Sequence, residues 1–518
     1  QAATPPPVQL EAKLAEVEQR EMLAKAPALP QIAPIVDNAF LPVVGNELST
    51  FAIDVDTGSY PMVRRFLEQG QAPPKDAVRI EEMLNYFPYG DPGPKDGKPF
   101  AFNIEIADCP WNSRNRLARI GIKAQSIDPA DRPPSNLVFL IDVSGSMSDL
   151  NKLPLLKAGM KLLVDQLSEN DRVSIVTYAG NVRVHLPSTP CHRKKPIIDA
   201  LDTLQAGGST AGAAGIDLAY QEATAHFIKG GTNRVILATD GDFNVGRSKE
   251  ELLAESEKRT KSGIFLTVLG FGEGNLQEAF MEQLADKGNG RYAYIDTIAE
   301  ARKVLVSEMS GTLVTVAKDV KIQVEFNPAK IRSYRLIGYE NRVMAAADFR
   351  NDAKDAGEIG AGHGVTALYE IEPAGKDDPV AVEVAAGAVP GAGAVGPLKY
   401  RTKTDVAKEV KTPAPAAESS PESLTVFLRY KAPDGDKALE LERGVVDSGL
   451  SYGRASNDFK FAAAVAGFGM LLRDSPHKGS LTFSGVSELA KPASLVDPSG
   501  YRAEFVEMVE KAKLLLDR

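Results

Sequence analysis

Three short stretches of this chain carry oxygen-bearing side chains in loops, two of them where a buried strand should give way to a turn. In "DVSGSM", Asp142, Ser144 and Ser146 sit at alternate positions behind the apolar run "NLVFLI". In "GGSTAG", glycines that permit a tight loop flank the Thr210 hydroxyl, and in "LATDGDFN" a second apolar run ends on Asp240. Two carboxylates and three hydroxyls are hard oxygen donors, suited to Mg²⁺ first and to Mn²⁺ or Ca²⁺ as alternatives. Zinc or copper would call for His or Cys, which these loops lack. One divalent cation held by so few anionic groups keeps net positive character, and a carboxylate from outside can complete its shell. The competing reading is a set of capping serines and turn aspartates in a metal-free sheet; three matching loops weigh against it.

For such loops to meet, their strands must lie side by side and end at one edge. From about Leu137 the pattern supplies this. "NLVFLIDV", "RVSIVTY", "VRVHL", "NRVILATD", "GIFLTVLGFG" and "GRYAYID" read as strands. Between them lie helical stretches: a stripe of Leu150, Leu153, Leu156, Met160, Leu163 and Leu167, then "AAGIDLAYQEATAHFI" and a charged helix. Strands that are nearly continuously apolar, alternating with helices, predict a doubly wound, mainly parallel α/β sheet. Ligands of such sheets bind where strands end and helices begin.

In this order and on these elements, the D-x-S-x-S, Thr and Asp stretches resemble the von Willebrand factor type A domain and its metal-ion-dependent adhesion site. The likeness covers roughly residues 133 to 313. It implies that Ser144, Ser146 and Thr210 coordinate the ion directly, and that Asp142 and Asp240 act directly or through water. The flanks, "STFAIDVDTGSYPMVRRFL" and "CPWN" before the domain and the regions after it, resemble a YfbK-like subgroup of bacterial cell-envelope proteins.

The α/β unit is expected to be an insertion. Residues 1–45 read as a Pro/Ala-rich tether around a short charged helix, and 46–92 as a small strand–helix unit in which Asp76 caps a helix bearing Ile80, Met83, Leu84 and Phe87. Residues 93–132 hold two alternating strands, "PFAFNIEIA" and "RLARIGIKA", with no partners nearby. Beyond the unit at 133–313, residues 314–450 read as an antiparallel β-rich domain: "KDVKIQVEF", "GVTALYEIE", "PVAVEVA" and a hairpin through "APDGDK". Two low-complexity loops, "AAGAVPGAGAVGP" and "KTPAPAAESSPES", interrupt it. Residues 451–518 are helical, with Ser456 or Asn457 capping a helix of Phe461, Val465, Phe468 and Leu472, and a last helix holding Phe505, Met508, Val509 and Leu516. The two unpartnered strands should pair with the later β-rich region.

"FAIDVDTGSY" at 51–60 looks like a second copy of the first loop, but Asp56 and Gly58 stand where Ser144 and Ser146 stand. As a calcium loop it fails too: the glycine comes one place early and Arg65 holds the closing position. It reads as a structural echo in which Asp54 and Asp56 cap the helix of "PMVRRFL". "GFGEGN" lacks the third glycine of a dinucleotide fingerprint, "GAGHG" at 360–364 reads as a loop, and "HRKK" at 192–195 as the solvated start of a helix.

The whole chain bounds the rest. At 518 residues it has length for about three domains; 43% hydrophobic and 25% charged residues are those of a globular protein. A dispersed net charge of −9 argues against nucleic acid, and no apolar run is long enough to cross a bilayer. Cys109 and Cys191 have no CxxC partner and read as two buried thiols, a single disulfide being the alternative. The chain begins at Gln1 rather than Met, as a processed or trimmed chain would, with no signal peptide left to read; the tether allows a lipid-anchored N-terminus in the cell envelope. The expected function is a non-enzymatic, metal-dependent protein-binding module whose partner offers an acidic side chain. The alternative is an accessory factor presenting a substrate protein to a separate ATPase or maturation machine. Hydrolysis by metal-activated water lacks a His or Glu placed as base.

Overall fold

A computed structural model describes residues 34–95, 97–209, 212–241, 248–272, 277–308, 311, 313–354, 356–375, 398–400, 420–433, 435–495 and 497–517. The expected tether helix, the strand "PVAVEVA" and most of both low-complexity loops lie outside these residues.

Three sheets organise the molecule. The central one is built from β5 (Ser135–Asp142), β6 (Arg172–Tyr178), β7 (Val182–Pro190), β8 (Thr232–Thr239), β9 (Ile264–Phe271) and β10 (Tyr292–Ile295), in the order β10-β9-β8-β5-β6-β7. All neighbours are parallel except β7, which runs antiparallel to β6 at the edge. Every residue of β5 is buried because helices cover both faces. Leu137, Phe139 and Ile141 pack on one side with Leu156, Met160 and Leu163 of the helix Leu153–Gln166. Val138 and Leu140 pack on the other with Ile216, Ala219 and Tyr220 of the helix Gly212–Ala225. The first of these helices starts later than the leucine stripe suggested: Leu150 precedes it and is 86% exposed. Pro154 in its first turn explains the start, since proline there gives up a donor that has no partner anyway.

The two other sheets are antiparallel. One has the order β1-β12-β15-β4-β3, from Leu41–Pro42 (β1), Phe100–Asp108 (β3), Arg116–Ala124 (β4), Ile331–Ile337 (β12) and Gly364–Pro373 (β15). The other has the order β13-β2-β11-β16-β17, from Leu48–Ala52 (β2), Thr315–Phe326 (β11), Val343–Met344 (β13), Leu424–Lys431 (β16) and Ala438–Val445 (β17), with β14 (Gly357–Gly360) also on β11. Phe326 stacks on Tyr334 at 4.0 Å and meets Tyr369 edge-on, joining the two sheets. Strands from before the α/β domain thus pair with strands from after it, β4 with β15 and β2 with β11. Both connections of the α/β domain are held by one turn: Gly362 donates its N–H to Gln125, and Ala361 donates to Val314.

The helices α1 (Ser59–Glu68) and α2 (Ile80–Tyr86) of the N-terminal unit pack with the C-terminal helices Asn457–Arg473, Phe483–Ser494 and Tyr501–Leu516. Ser456 caps the first of those, accepting from Phe459 N. Phe461, Val465 and Phe468 are fully buried and Leu472 nearly so; on the last helix Phe505, Met508 and Val509 are buried while Leu516 is 38% exposed, off the core face. Asp76 does not cap α2. It accepts from Ile35 N, and the residue before α2 is Arg79, which makes no capping bond. Cys109 and Cys191 are both buried, free thiols.

Candidate metal centre

β5 and β8 are parallel neighbours, so Asp142, the last residue of β5, and Asp240, just past β8, come to one edge of the sheet. Beyond Asp142 the chain tightens into a 3₁₀ turn over Gly145–Ser148. Ser144 donates its backbone N–H to Asp142 Oδ1 at 2.8 Å, and the Ser144 and Ser146 hydroxyls stand 2.9 Å apart. Asp142, Ser144 and Asp240 are buried, Ser146 half-buried. Thr239 adds a hydroxyl 3.3 Å from Asp142 Oδ2 and accepts from Gly241 N.

The glycine loop is zipped against this turn. Gly145 N donates to Gly208 O at 3.0 Å, and Gly207 N to Val143 O at 2.8 Å. Gly208 has a φ of +87°, and a Cβ there would lie 3.2 Å from Gly180 N, so a side chain would strain the backbone that sets this approach. Thr210 itself lies outside the described residues. The four other residues predicted as ligands are brought to one place.

Burial pushes the Asp142 carboxyl up to about 6; donors on Ser144 pull it down, while the Asp240 carboxylate adds to the rise. A buried carboxylate disfavoured in this way is what a cation relieves, and the donor set is all oxygen, as a hard divalent ion requires. One neighbour escaped the sequence reading. The Lys152 ammonium lies 3.0 Å from Asp240 Oδ2 and 2.9 Å from the Ser146 carbonyl. Positive charge is therefore already drawn to this edge. The sequence did carry a signal: Lys152 falls in the first turn of the helix expected from Leu150, the end at which a cation is disfavoured.

The echo loop sits elsewhere and does something else. Asp56 N donates to Asp54 Oδ1 at 2.9 Å, reproducing the Asp142–Ser144 turn. Neither aspartate caps α1, contrary to expectation. The residue before α1 is Gly58, no side chain caps it, and Ser59 N donates instead to Glu82 Oε2. The reason is competition: Asp56 Oδ1 accepts from Tyr292 N of the α/β domain, and Asp54 is spent on its own turn. Oxygens of Asp54, Glu82 and Glu282 all lie within 4.8 Å of one another, but arginines cross the cluster. Arg79 bonds Glu282 at 2.8 Å, and Arg342 reaches Asp286 at 2.6 Å, Glu282 at 3.1 Å and Asp54 at 3.4 Å. Next to it, the buried Arg64 of α1 pairs with Asp296, Glu300 and Glu504. The echo is an ionic joint between the N-terminal unit and the α/β domain.

Family models described as von Willebrand factor, as von Willebrand factor type A domain, and as Uncharacterized protein YfbK, C-terminal match residues 30–119, 136–307 and 311–515. The chain is 44% identical to the Uncharacterized protein YfbK of Escherichia coli K12, over 93% of this chain and 80% of that protein. Over 35% of its length it is 29% identical to human inter-alpha-trypsin inhibitor heavy chain H3, of which the match covers 22%. Among solved structures, a von Willebrand factor type A protein from Catenulispora acidiphila aligns with 79% of this chain and 89% of that one, at 17% identity and a TM-score of 0.40. A zinc-occupied MIDAS structure of proximal thread matrix protein 1 from the mussel byssus aligns with 36% of this chain and 46% of that one, at 21% identity and a TM-score of 0.29. By its near full-length match to YfbK, and with all three models falling in order along it, the chain belongs to the YfbK family of von Willebrand factor type A domain proteins.

Proposed function

We propose that this chain is a non-enzymatic protein-binding module of the bacterial cell envelope that needs one divalent cation, Mg²⁺ first among the candidates. The observation that carries this reading is the meeting of Asp142, Ser144, Ser146 and Asp240 at the carboxyl edge of the central sheet. Ser144, Ser146 and Thr210 would hold the ion directly, and Asp142 and Asp240 directly or through water. A bound divalent ion supplies Lewis-acid charge there, and an acidic side chain of a partner protein is the ligand that would complete its shell. None of the three loops carries a His or Glu to serve as a base, which supports binding rather than hydrolysis. The Pro- and Ala-rich composition of residues 1–33 supports an envelope setting, as a spacer between an attachment point and the folded body. The expected tether ends earlier than residue 45, because Ile35 bonds Asp76 and Leu41 and Pro42 pair with β12.

Isothermal titration of the full chain with Mg²⁺, Mn²⁺ and Ca²⁺ tests the site. One ion per chain is expected, with binding lost in Asp142→Ala and Thr210→Ala while the fold stays largely intact; undiminished affinity in both variants would reject the assignment. Pull-down from bacterial envelope extracts with and without a chelator then tests whether the ion is needed for a partner.

A further inference from the structure

Lys152 is out of place by ordinary helix chemistry. It precedes the helix Leu153–Gln166, makes no capping hydrogen bond, and sets an ammonium at the end that favours anions. Its side chain does not turn out to water: it is 10% exposed and runs to the metal edge, bonding Asp240 and the Ser146 carbonyl, with Asp149 at 3.7 Å. The route is kept open by Gly272. A Cβ at Gly272 would come within 2.3 Å of Lys152 Cε and 2.8 Å of its Cδ. The Gly272 carbonyl is itself held, by the Tyr294 hydroxyl at 2.7 Å and by Arg65 of α1 at 3.4 Å. The lane for this one side chain is therefore fixed by the N-terminal unit as well as by the α/β domain.

We infer that Lys152 is a built-in counter-cation of the metal edge: it holds Asp240 when no ion is bound and competes with the incoming divalent ion for that carboxylate. The inference rests on the metal-binding reading above. Its consequence is a site that stays ordered without metal and fills only when the ion outweighs the ammonium. Lys152 is thus a positioning residue for Asp240 and sets the affinity threshold of the site.

The test measures Mg²⁺ and Mn²⁺ affinity of the full chain by titration, and the melting temperature after chelation, for wild type, Lys152→Met, Lys152→Gln and Lys152→Arg. A charge-assisted hydrogen bond is worth enough that losing this competitor should tighten ion binding by about tenfold in the Met and Gln variants. The same two variants should melt lower than wild type when chelated, and Lys152→Arg should match wild type in both readouts. The Gln variant serves if Met does not fold. A wild type that binds while the neutral variants bind within about twofold of it, or more weakly, overturns this inference alone. So does an Arg variant that behaves like Met. No ion binding in any of the four chains overturns both this inference and the metal-binding reading. Binding seen only in the neutral variants supports both.

Discussion

Asp142 and Asp54 make the same turn in different company. Each follows an isoleucine at a strand end, and each accepts, at 2.8 or 2.9 Å, the backbone N–H of the residue two places on. Around Asp142 the next polar groups among the described residues are hydroxyls, one lysine and a second carboxylate at the carboxyl edge of the central sheet. Around Asp54 they are Glu82, Glu282 and Asp56, with Arg342 and Arg79 between them, all enclosed where the N-terminal unit meets the α/β domain. The turn does not decide the function; the balance of charge around it does. Beside Asp142 and Asp240 the described counter-charge is a single ammonium among hydroxyls, whereas around Asp54 two guanidinium groups cross the carboxylates.

Removing the guanidinium at the echo is the strongest way to break this comparison. Arg342→Met leaves Asp54, Asp56, Glu282 and Asp286 facing one another, and breaking a buried ion pair costs about 3–5 kcal/mol. Chemical denaturation at pH 8 should show that loss, and it should shrink at pH 6 as carboxylates take up protons. Native mass spectrometry should count the same number of bound ions as in wild type. An extra ion in the variant would mean that the two turns differ only by their arginines.

A smaller effect sharpens the comparison through pH. Burial pushes the Glu278 carboxyl up to about 7, helped by Glu282 and opposed by Arg79 and Arg65, and its Oε2 has no hydrogen-bond partner among the described residues. The folded value lies above the ordinary one, so the acid's contribution to stability is full below about pH 4.5 and is lost as pH rises through 7. Glu278→Gln should therefore stabilise the chain at pH 8 by about 3 kcal/mol, with the gain vanishing towards pH 4.5. Melting curves across that range check it; a gain independent of pH would place the effect outside this joint.

How much of this could be read from residues alone follows from the range of the interactions. The α/β class was legible because β5 and β8 are short, apolar and covered on both faces. The loops of Asp142 and Asp240 were legible because each sits just past such a strand; the glycine loop follows the helix Lys194–Asp202 instead, and was legible only from its own glycines and hydroxyls. The capping role given to Asp54 and Asp56 failed because their actual partners are remote: Tyr292 lies 236 positions from Asp56, and Arg342 lies 288 from Asp54. Local pattern reports only what is within a few residues. Lys152 was legible only as an anomaly, and its partner Asp240 stands 88 positions away. The start of the helix after the first loop was misplaced by three residues because Leu150 fits its period but precedes Pro154.

The turn that holds both connections of the α/β domain has a consequence for the order of folding. Lys123 and Gly362, in contact across the body, are 239 positions apart in the chain. Closing so long a loop in an unfolded chain is slow and costly in entropy. Once the α/β domain has folded with its ends brought together, the remaining gap is only residues 124–132 and 314–361, and the closure cost falls by roughly 1 kcal/mol. The hairpin of β3 and β4 is synthesised first, yet it must wait for its long-range partner β15 until the domain in between is finished. Pulse-labelling hydrogen exchange during refolding should find amides of β8 and β9 protected before those that join β4 to β15. The inserted domain thus acts as the clasp that lets the body close around it.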